Sequence, residues 1–214
     1  MTPAAATPSA TADKLETLLV VVRESPGADK RDEALVPMAK LQVDLPGGIK
    51  AEMSPAWFEL IGDLHVRLVF DQGETLRTVR TEELAELGLT PEAAIARGLA
   101  NLERLHGAPE SVPWHGLMRV QGRAEDFASS YFLDRGFWRA LLERHPEGLV
   151  VAVPQHGGLL WTPAGDAQGV ATLESRVGAL HDAGQAQRLS TAVYLFKDDR
   201  WTVRRPARPA PPAN

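Results

Sequence analysis

Residues 122–163 read GRAEDFASSYFLDRGFWRALLERHPEGLVVAVPQHGGLLWTP, and they decide the fold class. Ala124 to Leu133 predicts a helix. Asp134 can cap a second one, in which Phe137, Trp138, Leu141 and Leu142 pack inward at helical spacing. His145-Pro146 ends it, because the residue before proline avoids the helical region. Leu149 to Val153 is apolar throughout and predicts a strand buried on both faces. Pro154 stops that strand, Gly157-Gly158 turns the chain, and Leu159 to Trp161 pairs back. Helices followed by an antiparallel hairpin are the mark of an α+β fold.

The flanks repeat this grammar. Upstream, Leu64–Phe70 and Thr75–Thr81 flank Asp71-Gln72-Gly73-Glu74 as a hairpin, with His65, Arg67 and Val69 on one face. Thr90-Pro91-Glu92 starts a helix running to about Leu105, whose stripe is Ile95, Leu99 and Leu102. Ala94, Gly98 and Asn101 form a small-residue strip beside it, where another backbone can approach. A short helix from Thr81 closes at Gly88, and Trp114–Gln121 alternates as a strand. Leu41–Leu45 and Ile49–Met53 predict a strand pair around Pro46-Gly47-Gly48. Ser54-Pro55 carries a helix-start signal, with Trp57, Leu60 and Ile61 as the buried face. Lys14–Arg23 fits a short helix through Leu15, Leu18, Leu19 and Val22, although Val20-Val21-Val22 favours a strand. Downstream, the longest helix spans about 167–188, and Ser190–Lys197 with Trp201–Arg204 closes a hairpin around Asp198-Asp199. The architecture expected is antiparallel hairpins packed against several helices. It forms one domain over 13–204, divisible into 13–106 and 107–204. Residues 1–12 and the proline-rich 205–214 are read as disordered tails.

Composition narrows the function classes. The 214 residues include no cysteine, so disulfides and thiolate metal sites are excluded. The net charge is -5 and no Lys/Arg run occurs, which argues against nucleic-acid binding. No apolar run approaches the length needed to cross a membrane, and the N-terminus has no signal-peptide pattern. A cytoplasmic location is expected. The six histidines form no metal-ligand pair, and nucleotide-binding glycine motifs are absent, so no cofactor is expected.

The second half resembles the YtpQ-like family of bacterial proteins, over roughly residues 60–204. The resemblance lies in LTPEAAIARGLANLERL, DFASSYFLDRGFW, GLVVAVPQHGGLLW and LSTAVYLFKDDRWTV, taken in that order. Where that family often has Arg and Asp after the Val-Pro step, this chain has Gln155, His156 and Gly157. The resemblance implies a cytoplasmic bacterial protein and supplies no activity.

Candidate site residues cluster in the opening stretch. Asp126, Ser129 and Ser130 come together if the segment is helical, and a carboxylate with two hydroxyls can bind a polar ligand. The simpler reading is that Asp126 caps the helix and the serines pack as small residues. Gln155 and His156 sit in a turn held by a buried strand, a frequent site position, and histidine titrates near neutral pH. Asp126, Ser129 or Ser130, and His156 have the residue types of a hydrolase triad, but no G-x-S-x-G elbow presents either serine. The five tryptophans, Trp57, Trp114, Trp138, Trp161 and Trp201, are read as core anchors. The favoured function is a non-enzymatic protein-binding or accessory module with an unknown protein partner. The alternative is a small-molecule sensor or hydrolase-like enzyme with a pocket near Asp126, Ser130 and His156.

Overall fold

Five consecutive apolar residues, Leu18 to Val22, are fully or almost fully buried, and the two sides of the fold meet over them. They form β1 (Leu18–Glu24), entered directly from α1 (Ala10–Thr17). The predicted helix over 14–23 is therefore corrected. β-branched Val20, Val21 and Val22 extend the chain as soon as a partner strand is present. The computed structural model describes residues 10–45 and 48–209. The tail readings for 1–9 and 210–214, and Pro46-Gly47 of the turn, lie outside the described residues. Residues 10–12, read as tail, belong to α1. Arg205 ends the last strand, and the backbone N–H of Arg208 donates to Thr191 Oγ1 at 2.7 Å.

The chain continues through β2 (Val36–Pro37), a ribbon of β3 (Leu41–Leu45) and β4 (Ile49–Met53), then β5 (Trp57–Ile61), β6 (Leu64–Asp71) and β7 (Leu76–Thr78). The first sheet runs β1-β6-β5-β2, all antiparallel, and β7 also pairs with β6. The helix expected after Ser54-Pro55 is instead β5. Pro55 bridges to Arg80, and Trp57–Ile61 pairs with β6, so strand pairing overrides a local start signal.

Helices α2 (Thr81–Glu86) and α3 (Pro91–His106) follow. The second sheet then uses β8 (Glu110–Trp114), β9 (Leu117–Gln121), β10 (Leu149–Ala152), β11 (Leu159–Pro163), β12 (Val193–Lys197) and β13 (Arg200–Arg205) in the order β13-β12-β10-β11-β9-β8. The single strand predicted over 114–121 is corrected to a hairpin. His115 and Gly116, at φ of 48° and 81°, make its turn. Between β9 and β10 lie the 3₁₀ helix Glu125–Leu133, where an α-helix was expected, and α4 (Arg135–Leu142). Between β11 and β12 lie α5 (Ala167–Ala183) and a short 3₁₀ turn, Gln185–Gln187.

The fold is α+β. β10 lies inside the second sheet and is buried throughout. Its residues alternate between two cores. Leu149 and Val151 join the main cluster with Val66, Leu68, Phe132, Trp138, Tyr194 and Trp201. Val150 and Ala152 meet Val170, Leu173 and Val177 of α5. The main cluster thus spans both sheets. Two polar contacts lock them together: Asp63 Oδ1 accepts from Ser190 Oγ at 2.6 Å and from Tyr194 Oη at 2.8 Å.

Candidate functional site

Asp126, Ser129 and Ser130 share the 3₁₀ helix but face different surroundings. Asp126 is exposed, while Ser129 and Ser130 are 0% and 1% exposed. Neither serine hydroxyl has a hydrogen-bond partner among the described residues. They pack inward with Ala128, Tyr131 and Phe132, and no hydrogen bond joins a serine hydroxyl to the side chain of His156 or Asp126. Helix capping by Asp126 is also not seen, since Ala124 is the N-cap residue and no side chain caps this helix.

The backbone of His156 does most of its bonding. Its carbonyl accepts from Ser129 N at 2.8 Å, and its N–H donates to Gln187 O at 3.0 Å. Gln187 Nε2 reaches Asp126 Oδ1 at 3.5 Å, and Gln155 bridges to Arg188. The start of the 3₁₀ helix, the 154–158 turn and the 184–188 turn are thereby joined. Asp126, Gln155 and His156 do come to one place, and the serines underlie it.

This place abuts a face of the first sheet that the sequence showed only in part. The β1–β6 register sets Arg23 opposite His65, and β5 sets Trp57 opposite Arg67. The Arg67 guanidinium stacks 3.9 Å from the centre of the Trp57 ring, and its Nε donates to His65 Nε2 at 2.7 Å. With Nε2 accepting, Nδ1 carries the His65 proton and donates to Ser25 Oγ at 2.8 Å. Burial, Arg67 and Arg23 hold His65 down to about 4. Burial and Arg23 bring His156 to about 4 as well, with Asp126 opposing and Arg67 adding. Both imidazoles are neutral at pH 7. Burial and Arg67 lower the Arg23 guanidinium to about 10.

These shifts fix the sign of an acid response. The unfolded chain takes protons on these histidines near 6.5 and the folded chain only near 4. The native state therefore binds fewer protons in that window, and stability falls as pH drops through it. Asp63 and Glu24, raised chiefly by burial, act in the opposite sense. His65→Gln is expected to remove a loss of roughly 2 kcal/mol between pH 6.5 and 4. Urea midpoints measured across that range should flatten relative to wild type, and parallel curves would refute the assignment.

A second feature lies between α4 and strands β8, β9 and β11. Ser111, Met118 and Trp161, from β8, β9 and β11, line a cleft of about 770 Å³. Phe137, Leu141 and Arg144 form one wall, and Trp114 closes the hairpin end. Trp161 Nε1 donates to Ser111 Oγ at 2.8 Å, and the His145 ring leans on Trp161 at 5.6 Å. Trp138, Trp161 and Trp201 are core anchors, as read from sequence. Trp57 and Trp114 are half-buried, and each takes part in one of these two features.

No family model, curated protein or solved structure matches the chain. Among the described residues, no group of three or more His, Asp or Glu side chains is placed to hold a metal ion. No described helix is long and apolar enough to cross a membrane.

Proposed function

We propose that the protein is a non-enzymatic binding module that holds a segment of a partner protein in the aromatic cleft. The observation carrying this reading is the cleft against the second sheet, where Trp114, Met118 and Phe137 gather part-exposed apolar surface over the buried Trp161. The exposed large apolar side chains elsewhere, Val36, Leu76 and Leu105, lie on separate elements. Aromatic rings and methionine adapt well to a protein partner, and Arg144 at the rim favours an acidic residue beside the inserted side chain. The resemblance to the YtpQ-like family would place this activity in the cytoplasm of a bacterium.

A second reading is a small-molecule site in the same cleft, because its volume falls in the range of such pockets. The sensor or hydrolase-like reading around Asp126, Ser130 and His156 has less support, since the Ser130 hydroxyl is buried and unpartnered.

The test is capture on tagged wild type, Met118→Glu and Trp114→Ala from a lysate of the source organism, with proteins and small molecules both read by mass spectrometry. A protein retained in stoichiometric amount by wild type should bind at least about tenfold more weakly to both variants. A small molecule lost in the same variants moves the assignment to the second reading. A protein retained equally by all three, with folding confirmed by circular dichroism, overturns the cleft assignment.

A further inference from the structure

We propose that Arg23 and Arg67, side by side on one face of the first sheet, form a binding site for a phosphate-class oxyanion. The site is separate from the aromatic cleft and stands on different residues.

The argument begins with where arginines find partners. Half-buried Arg77 holds Glu83, Arg119 holds Glu125, and Arg135 holds Glu33. Arg205, also half-buried, donates to the Glu174 carbonyl at 2.9 Å. Like Arg205, Arg23 and Arg67 form no ion pair among the described residues, but these two lie together on one sheet face. Arg23 Nη1 donates to its neighbour's carbonyl, Val22 O, at 2.8 Å, and Arg67 Nε is used on His65. The remaining guanidinium N–H groups of both make no hydrogen bond to a described residue.

Two such cations would not settle side by side without a reason. They belong to adjacent strands and to the same sheet face, since Arg23 pairs with His65 and Arg67 lies two residues further along β6. Each raises the potential felt by the other, and partial burial weakens the screening by water. The surroundings also fix Arg67. Trp57 supports Arg67 from one side, and the Ser25–His65–Arg67 chain of hydrogen bonds sets the angle of its guanidinium. Fixed, half-desolvated donors of this kind are prepared for an anion.

The charge balance selects the ligand. Asp126 is the carboxylate felt by both Arg23 and His156, and it lies beyond ion-pair distance of Arg23. Glu59, opposite His65 on the same face, forms no ion pair with either arginine, so both guanidiniums are left without a contacting carboxylate among the described residues. Guanidinium forks match the paired oxygens of a phosphate group. A divalent oxyanion gains from both cations together, where a halide gains little from the fork geometry.

The experiment is calorimetric titration of inorganic phosphate, and separately of phenyl phosphate, into wild type, Arg23→Gln and Asp126→Asn at pH 7 and low ionic strength. Sodium chloride of matched ionic strength is the control. Arg23 makes one backbone bond from a half-buried position, so Arg23→Gln should fold as wild type does by circular dichroism. Phosphate should bind wild type saturably, about tenfold more weakly to Arg23→Gln, and about threefold more tightly to Asp126→Asn, because that variant removes a repelling charge. Phenyl phosphate binding more tightly than inorganic phosphate would assign a phosphate ester, and the reverse a free phosphate. Equal binding to wild type and Arg23→Gln, or no saturable binding to wild type and Asp126→Asn alike, overturns the proposal. Retention of the cleft partner by Arg23→Gln separates this outcome from the fate of the cleft reading.

Discussion

Asp63→Ala is expected to remove about 3 kcal/mol of folding stability, because it takes the shared acceptor from two buried hydroxyls and leaves them only each other, 3.3 Å apart, to bond. Asp63 is 2% exposed and sits in the tight turn between β5 and β6. Gly62 makes that turn at φ 59°, and a Cβ there would lie 2.9 Å from Tyr194 Oη, so the turn presses directly on the second sheet. Ser190 Oγ and Tyr194 Oη both donate to Asp63 Oδ1, and Ser190 Oγ also accepts from Ala192 N at 2.9 Å. One carboxylate therefore terminates a network that joins the two sheets. Burial pushes its pKa up, and the two hydroxyls pull it back down. Asp63→Asn keeps an acceptor oxygen and removes the buried charge, so its cost should be about 1 kcal/mol. Urea unfolding at pH 7 measures both. If Asp63→Ala and Asp63→Asn are equally mild, the network is not what holds the sheets together.

Much of this fold is legible in the sequence, and the misses share a cause. β6–β7, β10–β11 and β12–β13 each combine an apolar pattern with a turn of glycine or aspartate, so local chemistry is enough to find them. β1, β5 and β8 were misread because their partners are distant or their local signals conflict. Leu18–Val22 fits either period until β6 arrives to pair with it. Ser54-Pro55 starts a helix only if Trp57–Ile61 has no strand to join, and β6 supplies one. In β8, Pro113 suppresses the strand signal, and His115-Gly116 is a weak turn motif that becomes a hairpin when β9 pairs.

The candidate sites follow the same division. Asp126 and His156 could be named from sequence because each sits at a recognisable element boundary. Their neighbours Arg23 and Arg67 could not be tied to them, because the link passes through the β1–β6 register and then across to another sheet. Charge beside apolar residues is the signal in the sequence: Arg23 ends a run of five aliphatics, and Arg67 stands between Val66 and Leu68. Likewise Trp114 and Trp161 meet through β9, which pairs with both of their strands.

The second large effect is expected at Gly98. The small-residue strip of α3 was read as a place for close backbone approach, and β1 is what approaches. A Cβ at Gly98 would lie 3.0 Å from both Leu19 C and Val20 N, and 3.2 Å from Val20 Cβ. The first two are backbone atoms of a strand paired along its length to β6, so they cannot swing aside as a flexible side chain would. Asn101 fixes the same junction by donating to Leu15 O and Leu18 O, each at 2.8 Å, where α1 passes into β1. Gly98→Leu should therefore cost about 3 kcal/mol through overpacking. Gly98→Ala is the sharper test, since alanine gains about 1 kcal/mol in helix propensity over glycine. A net loss of about 1 kcal/mol in Gly98→Ala means the contact costs twice what propensity returns. A net gain would mean that α3 can lift from β1. Because β1 also carries Arg23, such a shift should change phosphate affinity along with stability.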